Sequence, residues 1–252
     1  MLVSLDGFLW LLVLLGPLLF LQRRLHREIQ SCFLLLTRRA ELSIALFSLL
    51  FLPGVLLHEL SHFLMARMLG VATGRFSLLP QPMPNGRLQL GYVETARTDI
   101  FRDALIGASP LLAGGIFVAL VGVYRMGLGA LWEALLSGDG QVFRMATAAI
   151  LEKSDFWVWF YLTFTVSSTM LPSTSDRRAW LPLGLIVVVL LSLVLLAGAG
   201  LWLISNLAPA LNTALRALAG VLGISVLVHL VLLPPIWMAR RLLNKLTGLQ
   251  TV

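Results

Sequence analysis

Long runs without a charged side chain constrain this sequence more than any other feature. Residues 42–57 and 179–215 contain no Lys, Arg, Asp or Glu. A helix needs about 20 apolar residues to cross the roughly 30 Å hydrocarbon core of a bilayer. Hydrophobic residues make up 58% of the 252-residue chain and charged residues only 12%. We therefore predict an all-α polytopic protein, integral to the cell membrane and in contact with the lipid bilayer along its length.

The apolar runs predict about six transmembrane helices in a single membrane-embedded domain, 1–252. The expected spans are 7–22, 42–68, 104–124, 156–175, 180–204 and 217–239. We divide the domain into an amino-terminal part (1–41), a central core (42–178) and a carboxyl-terminal helical pair (179–252). Arginines between 23 and 39 predict an amphipathic stretch on the lipid headgroups, with His26 solvated among them.

Two histidines and a glutamate lie inside the second apolar run, as His58-Glu59-Leu60-Ser61-His62. His58 and His62 are four residues apart, so both side chains rise from one face of a helix and can bind one ion. Burying these polar groups together costs several kcal/mol unless something compensates. A zinc ion would compensate, with Glu59 beside it as general base for a water molecule. The motif therefore predicts a catalytic Zn²⁺ site within the membrane.

A third zinc ligand is expected from another segment of the chain. Asp176 is the strongest candidate, because it follows an apolar helix at a turn broken by Pro172 and rich in hydroxyl groups. Glu94 and Glu152 are the alternatives, and a site with a glutamate ligand would belong to a membrane zinc protease of another plan. His229 in the last span is interpreted as a hydrogen-bonded packing residue.

Residues 71–98 interrupt the apolar pattern and predict a β-hairpin after the histidine helix. Prolines and Asn85-Gly86 supply turn residues between two strand-like segments. A free hairpin edge can bind a substrate backbone in extended form. We assign this role to Leu88, Gln89, Leu90 and Gly91.

Charge and cysteine content exclude several classes of function. The net charge of +7 is spread over short loops without interleaved aromatic residues, so it favours membrane orientation and headgroup contacts over nucleic-acid binding. Cys32 is the only cysteine, which excludes an intrachain disulfide and a cluster of thiolate ligands.

Residues 42–178 resemble the core of the site-2 protease family of zinc intramembrane metalloproteases. The resemblance lies in the histidine motif, the glycine-bearing hairpin, the Gly-Ala-Ser-Pro turn at 107–110, and a helix that ends in a proline-to-aspartate segment. It implies that His58, His62 and Asp176 are zinc ligands and that Glu59 is the catalytic base. Thr169 stands where the family usually has Asn in its Asn-x-x-Pro segment, and Arg177 stands where it usually has glycine.

The resemblance implies a zinc metalloendopeptidase that hydrolyses peptide bonds in or near transmembrane segments of other membrane proteins. It places the hairpin, Arg177 and the carboxyl terminus on the cytoplasmic side, with the active site nearer that side. A non-proteolytic membrane subunit with a structural zinc site is the alternative from another class. The sequence points to no particular regulating membrane partner.

Overall fold

The protein is a helical bundle with a small β-hairpin, described here from a computed structural model that covers residues 6–82 and 88–248. The helices are α1 (Asp6–Thr37), α2 (Ala40–Met68), α3 (Ile100–Leu120), α4 (Leu128–Leu136), α5 (Gly140–Leu151), α6 (Phe156–Thr169), α7 (Trp180–Leu196), α8 (Gly200–Trp202) and α9 (Ala208–Thr247). Single π-helical turns follow α3 at Val121–Arg125 and precede α9 at Leu203–Leu207. The prediction of an all-α membrane-type protein with an inserted hairpin is confirmed.

Four helices in the described part of the chain are long and apolar enough to cross a membrane, fewer than the six expected. They are Asp6–Thr37, Ala40–Met68, Ile100–Arg125 and Gly200–Thr247. The expected span 156–175 ends at Thr169, because Pro172 has no N–H with which to continue the helix. α7 is apolar but has only 17 residues, none of them buried.

α1 and α9 are parallel, an arrangement that six alternating spans would not produce. Asn212 accepts the backbone N–H of Gly7 at 2.8 Å, and far along both helices Cys32 contacts the carbonyl of Ile236. The carboxyl end of α9 therefore lies beside the carboxyl end of α1. This end is opposite the hairpin, so our placement of the hairpin and the carboxyl terminus on the same side was wrong.

The basic stretch after residue 22 is part of α1 and does not form a separate surface helix. Glu28 is buried and pairs with Arg24 on its own helix and with Arg240 of α9. His26 stacks on Phe47 and Phe51 of α2, with ring centroids 5.5 and 4.7 Å apart. The prediction of a solvated His26 was wrong because this face of α1 packs against α2.

Glycines bring α6 into the centre of the bundle, between α2 and α3. A Cβ on Gly54 of α2 would lie 2.3 Å from the carbonyl oxygen of Thr165, and one on Gly114 of α3 would lie 2.5 Å from the Met170 side chain. Small residues allow this close approach of helices in lipid. Gly54 therefore serves a close contact between α2 and α6.

The hairpin lies at the end of α2, where Gly70 ends the helix in the left-handed conformation (φ 69°). Its strands are β1 (Thr73–Ser77), β2 (Gln81–Pro82), β3 (Leu88–Gln89) and β4 (Tyr92–Thr95). β1 pairs antiparallel with β4, and β2 pairs antiparallel with β3. The expected Asn85-Gly86 turn lies outside the described residues.

Candidate metal centre

His62 is held by a carbonyl group that a proline leaves free. Pro110 of α3 has no N–H to donate to the carbonyl four residues earlier, which is that of Ile106. His62 Nδ1 lies 2.8 Å from this oxygen, and the Ser109 hydroxyl donates to it at 2.7 Å. A carbonyl oxygen only accepts, so Nδ1 of His62 carries the proton and its Nε2 is the free nitrogen.

His58 is also held by a free backbone carbonyl, at the end of α6. Its Nδ1 lies 2.7 Å from the carbonyl oxygen of Thr169, the last residue of that helix. This oxygen has no helical hydrogen bond, because the N–H of Ser173, four residues later, donates to Asp176 at 2.7 Å instead. Nδ1 of His58 is therefore the donor, and its Nε2 is an acceptor that faces the Nε2 of His62. Such carbonyl partners commonly orient metal-binding imidazoles.

Asp176 reaches the two histidines because the loop after α6 presses on a glycine of α3. A Cβ on Gly107 would lie 1.9 Å from the backbone oxygen of Asp176, so only glycine permits this approach. Two further contacts fix the loop: the backbone N–H of Asp176 bonds to the Ser173 hydroxyl, and Arg178 forms a two-bond ion pair with Asp103 of α3, at 2.5 and 2.7 Å.

The three side chains form a cluster with the dimensions of a metal site. The two Nε2 atoms are 3.2 Å apart, and Asp176 oxygens lie 3.7 Å from His58 Nε2 and 3.4 Å from His62 Nε2. Two ligands bound at 2.0–2.1 Å in tetrahedral geometry would be about 3.3 Å apart. The separations bracket this value, so His58, His62 and Asp176 could hold a metal ion.

The electrostatics of the cluster also favour a cation. Both Nε2 atoms are acceptors, and an ionised carboxylate is an acceptor too, so the three groups cannot satisfy one another by hydrogen bonds. The backbone N–H of Ser173 donates to Asp176 at 2.7 Å, which favours the ionised carboxylate. Asp176 is therefore an anion ready to bind a positive charge.

Glu59 lies next to this cluster and under the hairpin. Glu59 as a whole residue is 7% exposed. A Cβ on Gly91 would lie 3.0 Å from Glu59 Cγ and 2.9 Å from Val55, so the hairpin backbone rests directly on this turn of α2. The carboxyl group proposed as the base and the backbone proposed for substrate binding are thus neighbours.

A polar cavity of about 120 Å³ adjoins the cluster, with His62 and Asp176 in its wall. Strand β4 contributes Val93 and Thr95 to the lining, and α3 contributes Asp103. Because liquid water occupies about 30 Å³ per molecule, the cavity has room for a few waters or one small side chain.

The predicted hairpin edge, Leu88 to Gly91, leads from β3 into the start of β4. In the described part of the hairpin each strand has one strand partner, which leaves an edge without a strand. Gln89 and Leu90 are half-buried and Gly91 is buried. Their role in substrate binding stays a prediction.

The alternative third ligands lie elsewhere. Glu94 accepts the backbone N–H of Arg75 across the hairpin at 3.2 Å. Glu152 directly follows α5, a helix that is connected to α6 at the opposite end of the bundle. Among the described residues, the carboxylate that joins the two histidines is that of Asp176.

Sequence reasoning missed the groups that orient the histidines. The carbonyls of Ile106 and Thr169 belong to residues whose side chains carry no functional chemistry for the site. Pro110 was a visible signal for the Ile106 carbonyl, since a proline leaves the carbonyl four residues before it without its helical partner. The Thr169 carbonyl had no such signal, because it is free only when the Ser173 N–H donates to Asp176. What the sequence did not show is which histidine each helix faces.

Comparisons with known proteins add no relative: no family model, no curated protein and no solved structure matches this chain.

Proposed function

We propose that this protein is a zinc-dependent intramembrane endopeptidase of the site-2 protease type. The observation that carries the proposal is the meeting of two imidazole acceptors and one carboxylate at tetrahedral ligand spacing, with Glu59 on the adjacent turn. Two His ligands and one carboxylate leave a fourth position for water or substrate, which is the arrangement of catalytic zinc sites. Calcium and magnesium sites use oxygen ligands instead.

Each residue has a separate task in this proposal. His58, His62 and Asp176 would hold the zinc, which when bound would polarise the substrate carbonyl and acidify a water molecule. Glu59 would take the proton from that water as the water attacks the carbonyl carbon. The same carboxylic acid would then donate the proton to the amide nitrogen of the departing segment.

The substrate class follows from where the cluster lies. Its ligands come from α2, one of the candidate membrane spans, and from the loop after α6, so the scissile bond belongs to a chain segment at membrane depth. A helical peptide bond is shielded by its own hydrogen bonds. We propose that the substrate segment unwinds and adds to the hairpin edge at Leu88 to Gly91, next to Glu59.

The test compares wild type with Glu59→Gln in lipid nanodiscs. We would measure zinc per chain and the cleavage of co-expressed membrane proteins that have a single transmembrane helix. The expected result is about one zinc per chain in both proteins, with cleavage only by wild type, because Gln cannot accept the proton. Glu133→Gln on the exposed surface of α4 is the matched control and should cleave like wild type.

Other outcomes would contradict parts of the proposal. Zinc retained in Asp176→Asn but lost in Glu94→Gln would favour the protease with a glutamate ligand. Unchanged zinc content and unchanged biological function in Glu59→Gln would favour the non-proteolytic subunit with a structural zinc. Absence of zinc from wild type would contradict the metal site.

For the orientation, we propose from the resemblance that the metal end of the bundle is nearer the cytoplasmic side. The reverse orientation has support from Arg38, Arg39, Arg240 and Arg241, which lie at the other end of the bundle, because basic residues tend to stay inside. Single cysteines at Arg75 and at Gln141, in a Cys32→Ser background, distinguish the two. If the proposal holds, a membrane-impermeant thiol reagent added to intact cells labels Gln141→Cys and not Arg75→Cys.

A further inference from the structure

The last turn of α6 is held by two polar side chains from other helices, and both bind the same residue. Ser168 is buried, its carbonyl accepts from Gln22 Nε2 of α1, and its hydroxyl lies 2.9 Å from His229 Nε2 of α9. An amide and an imidazole are expensive to place inside a membrane bundle unless they are bonded. Their convergence on one serine calls for a specific explanation.

Hydrogen-bond chemistry fixes the direction of the His229 contact. His229 is fully buried, and its Nδ1 lies 2.7 Å from the carbonyl of Ser225 on its own helix. Nδ1 is therefore the donor, and in the neutral ring Nε2 is an acceptor. The Ser168 hydroxyl donates to it, so both partners are satisfied.

The Gln22 contact uses a carbonyl that a proline releases. Pro172 has no N–H for the carbonyl four residues earlier, which is that of Ser168. The side-chain amide of Gln22 takes the place of the missing donor. The release of the Ile106 carbonyl by Pro110 serves His62 in the same way.

The peptide group held in this way is next to the one that orients a metal ligand. Ser168 is followed by Thr169, whose carbonyl oxygen accepts from His58 Nδ1 at 2.7 Å. Neither Gln22 nor His229 belongs to the metal cluster. A shift of the last turn of α6 would move the Thr169 carbonyl and with it the direction of His58 Nε2.

We propose that Gln22 and His229 are positioning residues of the metal centre, which clamp Ser168 so that the Thr169 carbonyl aims His58 at the metal. The inference rests on the metal centre of the proposed function and does not depend on proteolysis. Other polar contacts between α1 and α9, such as Asp6 with Arg216, bind these two helices to each other. The Ser168 contacts bind both helices to α6.

The experiment measures Co²⁺ binding to the full chain in nanodiscs, through the dissociation constant and the visible absorption spectrum of the bound ion. Ser168→Ala and His229→Leu should each weaken Co²⁺ binding about 10- to 100-fold, as the loss of outer partners of metal ligands does. The absorption spectrum should also change. The double variant should bind no more weakly than the worse single variant, because both remove one bond.

Ser225→Ala is the matched control, since Ser225 is fully buried on α9 and its hydroxyl bonds only within that helix. It should bind Co²⁺ within about threefold of wild type. His229→Gln, which keeps an acceptor for Ser168, should restore part of the affinity. Ser168→Ala removes a single oxygen atom, so it tests the clamp even if His229→Leu fails to fold.

The clamp is overturned if Ser168→Ala and His229→Leu lower thermal stability but bind Co²⁺ with wild-type affinity and spectrum. A wild-type protein that binds no Co²⁺ would overturn the metal centre and the clamp together. Wild type that binds Co²⁺ but cleaves nothing would count against the endopeptidase alone.

Discussion

Two pairs of histidines lie inside this bundle, and their surroundings differ. His58 and His62 each donate a hydrogen bond from Nδ1 to a backbone carbonyl, and the Nε2 atoms of both lie near the carboxylate of Asp176. His229 has hydrogen bonds on both ring nitrogens, and His26 packs on two phenylalanines with its Nε2 buried and without a hydrogen-bond partner. Burial of histidine in a membrane protein is thus compatible with three different roles.

The difference shows which property marks a metal site in such a bundle. His229 is more deeply buried than His58, yet its acceptor nitrogen is already occupied by a hydroxyl group. Unoccupied acceptors that meet one another, and not burial itself, require a cation. The comparison therefore predicts how strongly zinc affinity and the free energy of unfolding change when a ligand, the loop of Asp176 or His26 is altered.

The largest effect is expected from removing a ligand of the converging pair. His62→Ala should lower zinc affinity by roughly a thousandfold and bring the zinc content of purified protein close to zero, because a site with three protein ligands keeps only two. The measurement is metal analysis of protein purified without added zinc. Stoichiometric zinc in His62→Ala would contradict the assignment of His58 and His62 as metal ligands, and with it their difference from His26 and His229.

The next effect concerns the glycine that lets Asp176 approach. Gly107→Ala would place a Cβ 1.9 Å from the Asp176 backbone oxygen, so the loop must move. We expect a loss of about 1–3 kcal/mol in the free energy of unfolding, typical of overpacking, and more than tenfold weaker zinc binding.

Gly184→Ala is its matched control, because a Cβ on Gly184 of α7 meets no atom within 4 Å. This variant should match wild type in zinc affinity, and its free energy of unfolding should be unchanged or higher by up to about 1 kcal/mol, because alanine favours a helix more than glycine does. Equal behaviour of the two alanine variants would mean that the Gly107 contact does not position Asp176.

A smaller effect is expected from the ion pair that anchors the loop. Arg178 is 56% exposed on its side chain, so its pair with Asp103 is screened, and Arg178→Ala should lower the free energy of unfolding by less than about 1 kcal/mol. Zinc affinity should fall a few-fold, since the loop loses one of several contacts. The same loss should occur when wild type is measured at high salt. A drop as large as that of Gly107→Ala would show that the ion pair positions the loop as strongly as the Gly107 contact does.

The smallest effect is expected at His26. His26→Phe keeps the stacking on Phe47 and Phe51 and removes the buried nitrogen that has no partner, so the free energy of unfolding should change by less than about 1 kcal/mol in either direction. Zinc affinity should equal that of wild type. A tenfold loss of zinc affinity would show that His26 contributes to the metal centre, and would contradict the difference drawn between His26 and the two histidine ligands.

The parts of the fold and site that could be predicted are those encoded by neighbours in the chain. α2 was expected at 42–68 and is found at Ala40–Met68, because an uncharged run of that length has one stable form in lipid. His58, Glu59 and His62 share adjacent turns because helical spacing is local. Asp176 could be proposed because a charged residue after an apolar helix and a proline needs a reason to be there.

The first and last segments could not be predicted in the same way. The sequence predicted a sixth alternating span at 217–239. In the structure this segment is part of the longer helix α9, which packs parallel to α1. The sequence placed His26 in solvent because the flanking arginines dominate that stretch, but the turn that carries His26 faces α2. The distribution of charged residues along the sequence did not indicate which face of α1 packs against α2.

By itself, the sequence determined that the chain is helical, that it belongs in a membrane and that two histidines and a glutamate share adjacent turns of one helix. The tertiary structure decided which histidines meet a carboxylate, which carbonyls orient them and which helices run side by side. The physical reason is the solvent. In water a helix shows its buried side by an apolar stripe, but in lipid every side is apolar, so helix partners are chosen by small residues and by single polar contacts.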